Sequence, residues 1–118
     1  MELETLIKDN VDFLKDYLPK ITYFIDLLVD FLAKNQESEA FEILPQIIEG
    51  LSWSIKSMSS LERVGEIENI EIEKLNGFLN EIRGAMETND YVLVSDLFEY
   101  EITPIVQQWI EMLKEKAE

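Results

Sequence analysis

Apolar residues return at intervals of three and four through almost the whole of this chain, and no stretch alternates with the period of two that a half-buried strand requires. That spacing commits the chain to helices, and punctuation by polar residues and prolines divides it into segments. Leu3, Leu6, Ile7, Val11, Leu14 and Leu18 mark a first amphipathic helix. Pro19 interrupts it, because proline lacks the amide donor and its ring meets the carbonyl four residues back. Proline also suits a first helical turn, and Ile21, Phe24, Ile25, Leu28, Val29 and Leu32 carry the stripe onward. One bent helix and two joined helices are equally compatible with residues 3–34.

The next break is Asn35-Gln36-Glu37-Ser38, with Ser38 placed to cap a second helix. Phe41, Leu44, Ile47, Ile48, Leu51, Ile55 and Met58 describe that helix, which is long and contains Pro45. Residues 57–69 hold serines, Gly65 and several acids and read as the main connection, with Ser59 and Glu62 at capping-box spacing. Asn69 is placed to cap a third helix, with Glu71 and Glu73 in its positive first turn. Its stripe is Leu75, Phe78, Leu79, Ile82 and Met86, and Gly77 and Gly84 share one face where a neighbouring backbone could approach. After Glu87-Thr88-Asn89, Asp90 caps the last segment, the longest run that reads as continuous helix. There Tyr91, Val94, Phe98, Ile105, Trp109 and either Met112 or Leu113 form a broad apolar face, and Pro104 should bend the helix about midway. The expected fold is all-α: one domain, an antiparallel bundle of four helices, or five if the chain restarts at Pro19, kinked near Pro19, Pro45 and Pro104.

Charge and missing residue types bound the function. Ten basic residues against twenty-five acidic ones leave a net charge of −15 in 118 residues. Such a surface repels nucleic-acid phosphates and anionic lipid, so neither nucleic acid nor membrane is an expected partner. The charge either simply keeps a small protein soluble or points to a partner with a basic surface or a bound divalent cation. The chain has no cysteine and no histidine. Disulfides, thiolate or imidazole metal sites, histidine phosphotransfer and histidine-assisted nucleophiles are therefore excluded. The acidic start Glu2-Leu3-Glu4 is unlike a signal peptide, and the most apolar window, residues 21–32, contains Asp26 and Asp30 and is too short to span a bilayer. A cytoplasmic location is expected.

Carboxylates at helical spacing, Asp12 with Asp16, Asp26 with Asp30, Asp96 with Glu99 and Glu111 with Glu115, could each share a hard cation, or simply mark solvated faces. The densest acidic-aromatic cluster is Asp96, Glu99, Tyr100 and Glu101, just before the Pro104 bend. Its tyrosine either ties a half-buried helix to a neighbour or anchors a partner, and these four residues are the candidate partner-binding site. Trp53 and Trp109 are expected in the core. No residue set supports a reaction, and no cofactor is expected.

Asn89-Asp90-Tyr91-Val92-Leu93-Val94-Ser95-Asp96-Leu97-Phe98-Glu99-Tyr100-Glu101-Ile102-Thr103-Pro104, followed by Trp109, resembles a small all-helical bacterial family of unassigned function. Leu18-Pro19-Lys20-Ile21 and Leu44-Pro45-Gln46-Ile47-Ile48-Glu49-Gly50-Leu51 fit the same pattern. The resemblance covers most of the chain and brings no catalytic residues. In layout alone the chain is also similar to the flagellin export chaperones, small acidic cytosolic bundles that wrap a partner's terminal helices. It departs from them in lacking a polar, tyrosine-bearing N-terminal segment and in holding three prolines, so no binding residue is carried over. The expected function is a non-enzymatic, chaperone-like interaction module for a partner's basic or amphipathic helix. The alternative is a bundle that binds a divalent cation or small ligand through surface carboxylates. Self-association through an apolar stripe is a third expectation.

Overall fold

The first amphipathic stripe forms one helix, α1, Glu2–Ala33, which runs uninterrupted through Pro19. The computed structural model describes residues 2–116; Met1, Ala117 and Glu118, and with them the end of the last segment, lie outside it. Pro19 is exposed, so the carbonyl it cannot bond faces water, while its own carbonyl accepts from the Thr22 hydroxyl at 2.8 Å. At 1.5 Å per residue α1 spans about 48 Å, which accounts for the molecule's 50 Å long axis. It is α1, not the last segment, that is the longest helix.

The second helix, α2, Glu37–Arg63, likewise passes through an exposed proline, Pro45. It starts one residue before Ser38, and Gln36 at its N-cap makes no side-chain capping bond. It also runs past Met58 to Arg63, so Ser59 and Glu62 lie within the helix, where no capping box forms. The third helix, α3, Ile72–Glu87, is not capped by Asn69. Instead Asn69 and Glu71 both take left-handed backbone angles, φ 60° and 57°, and Glu71 stands at the N-cap. Asp90 behaves as its position requires: its carboxylate accepts from the Leu93 amide at 3.1 Å and starts α4, Tyr91–Asp96. A π-helical stretch, Leu97–Ile102, joins α4 to α5, Thr103–Lys114, and the three pieces form one fourth helix.

The four helices pack up-down-up-down. α1 lies against α2 along one side and against α4 and α5 along the other, while α3 packs mainly on α4 and the π stretch and only lightly on α2. Leu14, Leu18, Ile25 and Leu28 from α1 and Leu51, Met58 and Leu61 from α2 are buried with Phe98, Ile102 and Trp109. Of the last segment's aromatics, Phe98 and Trp109 form the spine; Tyr91 is only half-buried, its ring edge-on to Phe41 at 5.1 Å.

The connection between α2 and α3 contributes to the core. α3 is much shorter than α2, and residues 64–71 fill the gap with the buried side chains of Ile67 and Ile70. The Trp109 indole N–H donates to the Ile70 carbonyl at 2.9 Å in the buried interior, fixing the connection to the fourth helix. At its end Lys116 reaches Glu66 at 3.8 Å. Gly77 and Gly84 have no neighbour where a Cβ would stand, so neither serves a close approach. Gly50 does: a Cβ there would lie 2.7 Å from the Tyr17 hydroxyl, and its absence lets the Tyr17 ring rest on α2.

Candidate interaction surfaces

The acidic-aromatic cluster lies on the π stretch, with Asp96 at the end of α4 just before it. Pro104 has no amide to give, and the helix widens just before it: the Thr103 N–H bonds the Phe98 carbonyl, five residues back. The wide turn also settles which side chains face inward. In an unbroken α-helix Glu101, four beyond Leu97 and seven beyond Val94, would share their buried face. The π turn rotates Glu101 out and Ile102 in: Glu101 is exposed and Ile102 fully buried. Asp96, Glu99, Tyr100 and Glu101 are thus all at the surface. The Tyr100 hydroxyl has no hydrogen-bond partner among the described residues, so this tyrosine ties nothing down. At the exit of the turn the Thr103 hydroxyl oxygen is buried and also lacks a protein partner.

A larger surface runs along one side of the α1–α2 hairpin. Trp53, expected in the core, is 58% exposed. Tyr17 resting on Gly50 fixes the antiparallel register of the two helices, and Trp53 lies one turn along from Gly50. Phe13 stacks on Tyr17, ring centroids 5.0 Å apart and planes 20° apart. Towards one end, Leu3 and Leu6 line a shallow groove with Ser60 and Val64. Towards the other, Tyr17, Ile21 and Phe24 line a second with Gln46 and Ile47. Leu3, Leu6, Phe13, Phe24, Trp53 and Val64 are all substantially exposed, Leu6 at 63%. Leu3, Leu6 and Val64 at the first groove, Phe24 at the second, and Phe13 and Trp53 flanking the Tyr17–Gly50 contact between them make an apolar seam along the exposed side of α1 and α2.

Between α2 and α3 lies a cleft of about 600 Å³ with Leu44, Ile48, Leu79 and Met86 on its walls and Asn76, Asn80 and Arg83 at its rim. It follows from the light packing of the short α3 on α2.

Most of the helical carboxylate pairs are already engaged. Lys8 donates to Asp12 at 2.7 Å, Lys20 to Asp16 at 3.2 Å, Lys34 to Asp30 at 3.0 Å and Lys114 to Glu111 at 3.0 Å. Asp12 and Asp16 both face an ammonium group one turn away, as do Asp30 and Glu111 from two of the other pairs. The hydrogen bond to Asp12, followed by its charge, holds the Lys8 ammonium above its usual pKa. Among the described residues no three carboxylates converge as a cation site would need. No described helix is long and apolar enough to cross a membrane.

The sequence profile of a domain of unknown function, DUF8042, matches residues 9–112. The chain belongs to the DUF8042 family. No curated protein and no solved structure matches it. The DUF8042 match takes in the whole of α2, α3, α4 and the π stretch, α1 from Asp9 onward and α5 as far as Met112. It agrees with the sequence resemblance to a family of unassigned function and shows no likeness to the export chaperones. Within this DUF8042 chain the acidic cluster and the seam are separate surfaces, on the fourth helix and on the α1–α2 hairpin. Sequence reasoning found the first and missed the second. The signal for the seam was present: Leu6, Phe13, Tyr17 and Phe24 recur at seven, four and seven on one flank of the α1 stripe, widening it beyond what one neighbour can cover.

Proposed function

We propose that this protein is a non-enzymatic interaction module of the cytoplasm that binds an amphipathic helix of a protein partner. One observation carries the reading: the apolar seam of the α1–α2 hairpin, left open beside a core that closes without it. Aromatic side chains offer roughly 150–250 Å² each and the leucines and valine less, so the six, about half exposed, present on the order of 600 Å² in all, the upper end of the largest apolar patch on a typical monomer, a size that is often functional. A groove between two helices with apolar residues at helical spacing is the shape that helix-in-groove recognition employs. The layout of the sequence resembles that of the flagellin export chaperones, which wrap a partner's terminal helices, and this resemblance supports the reading without supplying a binding residue. The acidic cluster at Asp96, Glu99, Tyr100 and Glu101 is the second contact region we propose, for basic residues of the same partner.

A panel of twenty-residue amphipathic helices, cationic, neutral and anionic, titrated into the intact protein by calorimetry tests the reading. Binding by at least one, with a raised melting temperature, is the expected result. Silence from the whole panel would remove it.

A further inference from the structure

We propose that the α1–α2 seam is the docking groove for one cationic amphipathic helix of about six turns, with its lysines and arginines gathered at the end that lies over Phe24. This rests on the helix-binding reading above and adds the place, the length and the charge of the ligand.

Length comes from the seam itself. It begins at Leu3 and Val64 and ends at Phe24 and Gln46. At 1.5 Å per residue the 21 steps from Leu3 to Phe24 give a track of about 31 Å, the length of a helix of about twenty residues. The floor is built at its centre: Gly50 admits the Tyr17 ring, and Phe13 stacks on that ring. Trp53 and Phe24 stand beside this floor as exposed aromatics, the residue type that most often anchors an interface.

Charge chooses the occupant. Residues three or four apart on a helix are surface neighbours, so the rims of the seam can be read directly. Around the Phe24 half, Asp16 lies beside Phe13, Glu42 beside Gln46 and Glu49 beside Trp53, all exposed. Of the cations among the described residues, Lys20 lies in this half and is bound to Asp16 at 3.2 Å, while Lys56 stands three residues past Trp53, on the side of the Leu3 half. Around the Leu3 half, Asp9 and Glu2 are balanced by Lys56 and Arg63. A helix whose positive charge is concentrated at the Phe24 end matches both halves. A second copy of this chain would set acidic rims against acidic rims within a pair carrying −15 on each member, and an anionic membrane would meet the same repulsion.

Trp53 supplies the readout, because it is exposed on the seam while Trp109 is buried and already hydrogen-bonded. Two synthetic twenty-residue helices share one leucine-phenylalanine stripe, and one carries lysine where the other carries glutamate. The cationic helix should move the tryptophan emission to the blue, and Trp53→Phe should abolish that signal. The double variant Phe13→Ala/Trp53→Ala should weaken binding about tenfold or more, with helical circular dichroism retained to show that it stays folded. Glu42→Lys/Glu49→Lys should weaken the cationic helix and strengthen the anionic one.

Binding without an emission change, and unaffected by the double variant, would place the ligand elsewhere and overturn this inference while leaving helix binding intact. Equal binding of the two helices would overturn its charge. Sedimentation showing a dimer that the double variant dissociates would assign the seam to a second copy and overturn its occupant. Failure of both peptides to bind would take the helix-binding reading down as well.

Discussion

Trp109→Phe should destabilise the protein by about 2–4 kcal/mol, and the size follows from two separable losses. The indole N–H donates to the Ile70 carbonyl at 2.9 Å in the buried interior, and an acceptor left unsatisfied there costs about 1–3 kcal/mol. Replacing the bicyclic ring by a phenyl also removes about 40 Å³ of side chain, which at about 24 cal/mol per Å³ adds about 1 kcal/mol. Against a typical total of about 5–15 kcal/mol the variant stays folded at room temperature, so the change is measurable by urea denaturation. The midpoint should fall with little change in slope. Because the bond joins the fourth helix to the 64–71 connection, amides of that connection should lose hydrogen-exchange protection more than those of α1. Trp53→Phe, on the surface, is the control and should stay within about 0.5 kcal/mol of the parent. A Trp109→Phe change no larger than the control, or protection lost evenly over the whole chain, would refute the role given to this bond.

Three further outcomes are expected. Glu71 holds φ 57° at the start of α3, a conformation that suits asparagine or glycine better than glutamate, so Glu71→Asn should raise stability by roughly 0.5–1 kcal/mol; a lower melting temperature would count against strain there. Gly50→Ala should lower stability by about 1 kcal/mol because the new Cβ meets the Tyr17 hydroxyl, and Tyr17→Phe in the same chain should recover part of the loss in a double-mutant cycle. With −15 net charge, the melting temperature should climb as sodium chloride rises from low millimolar to about 0.5 M, where screening shortens to a few Å; a flat profile would show that self-repulsion is unimportant.

Much of the architecture was legible because the apolar period and the polar breaks agree. Asp90 caps the last helix as its spacing requires, and Pro104 does distort that helix, through a π turn that periodicity alone could not specify. Neither Pro19 nor Pro45 ends its helix: both are exposed, where the carbonyl that each leaves unbonded can be met by water. The end of α2 was misjudged for a different reason. Serines, one acid and an arginine between Ser57 and Arg63 look like a loop in composition, yet Met58 and Leu61 are buried on a continuing helical face. Ile67 and Ile70 obey no period because the connection, held by left-handed residues, buries them one at a time. For the seam, the stripe on α1 says which side is apolar but not how wide an arc its neighbours cover. Trp53 looked like core for that reason: its neighbours Gly50 and Ser54 are buried, and only the position of α1 decides that Trp53 itself is not.

The central claim is that the α1–α2 seam receives a helix, and methyl and aromatic chemical-shift mapping of the intact protein during titration with the cationic amphipathic helix tests it most directly. The account predicts that the largest shifts fall on Leu3, Leu6, Phe13, Phe24, Trp53 and Val64, while Leu79 and Met86 in the α2–α3 cleft stay still. Shifts centred on that cleft, or on Tyr100 alone, with the seam unmoved, would contradict it.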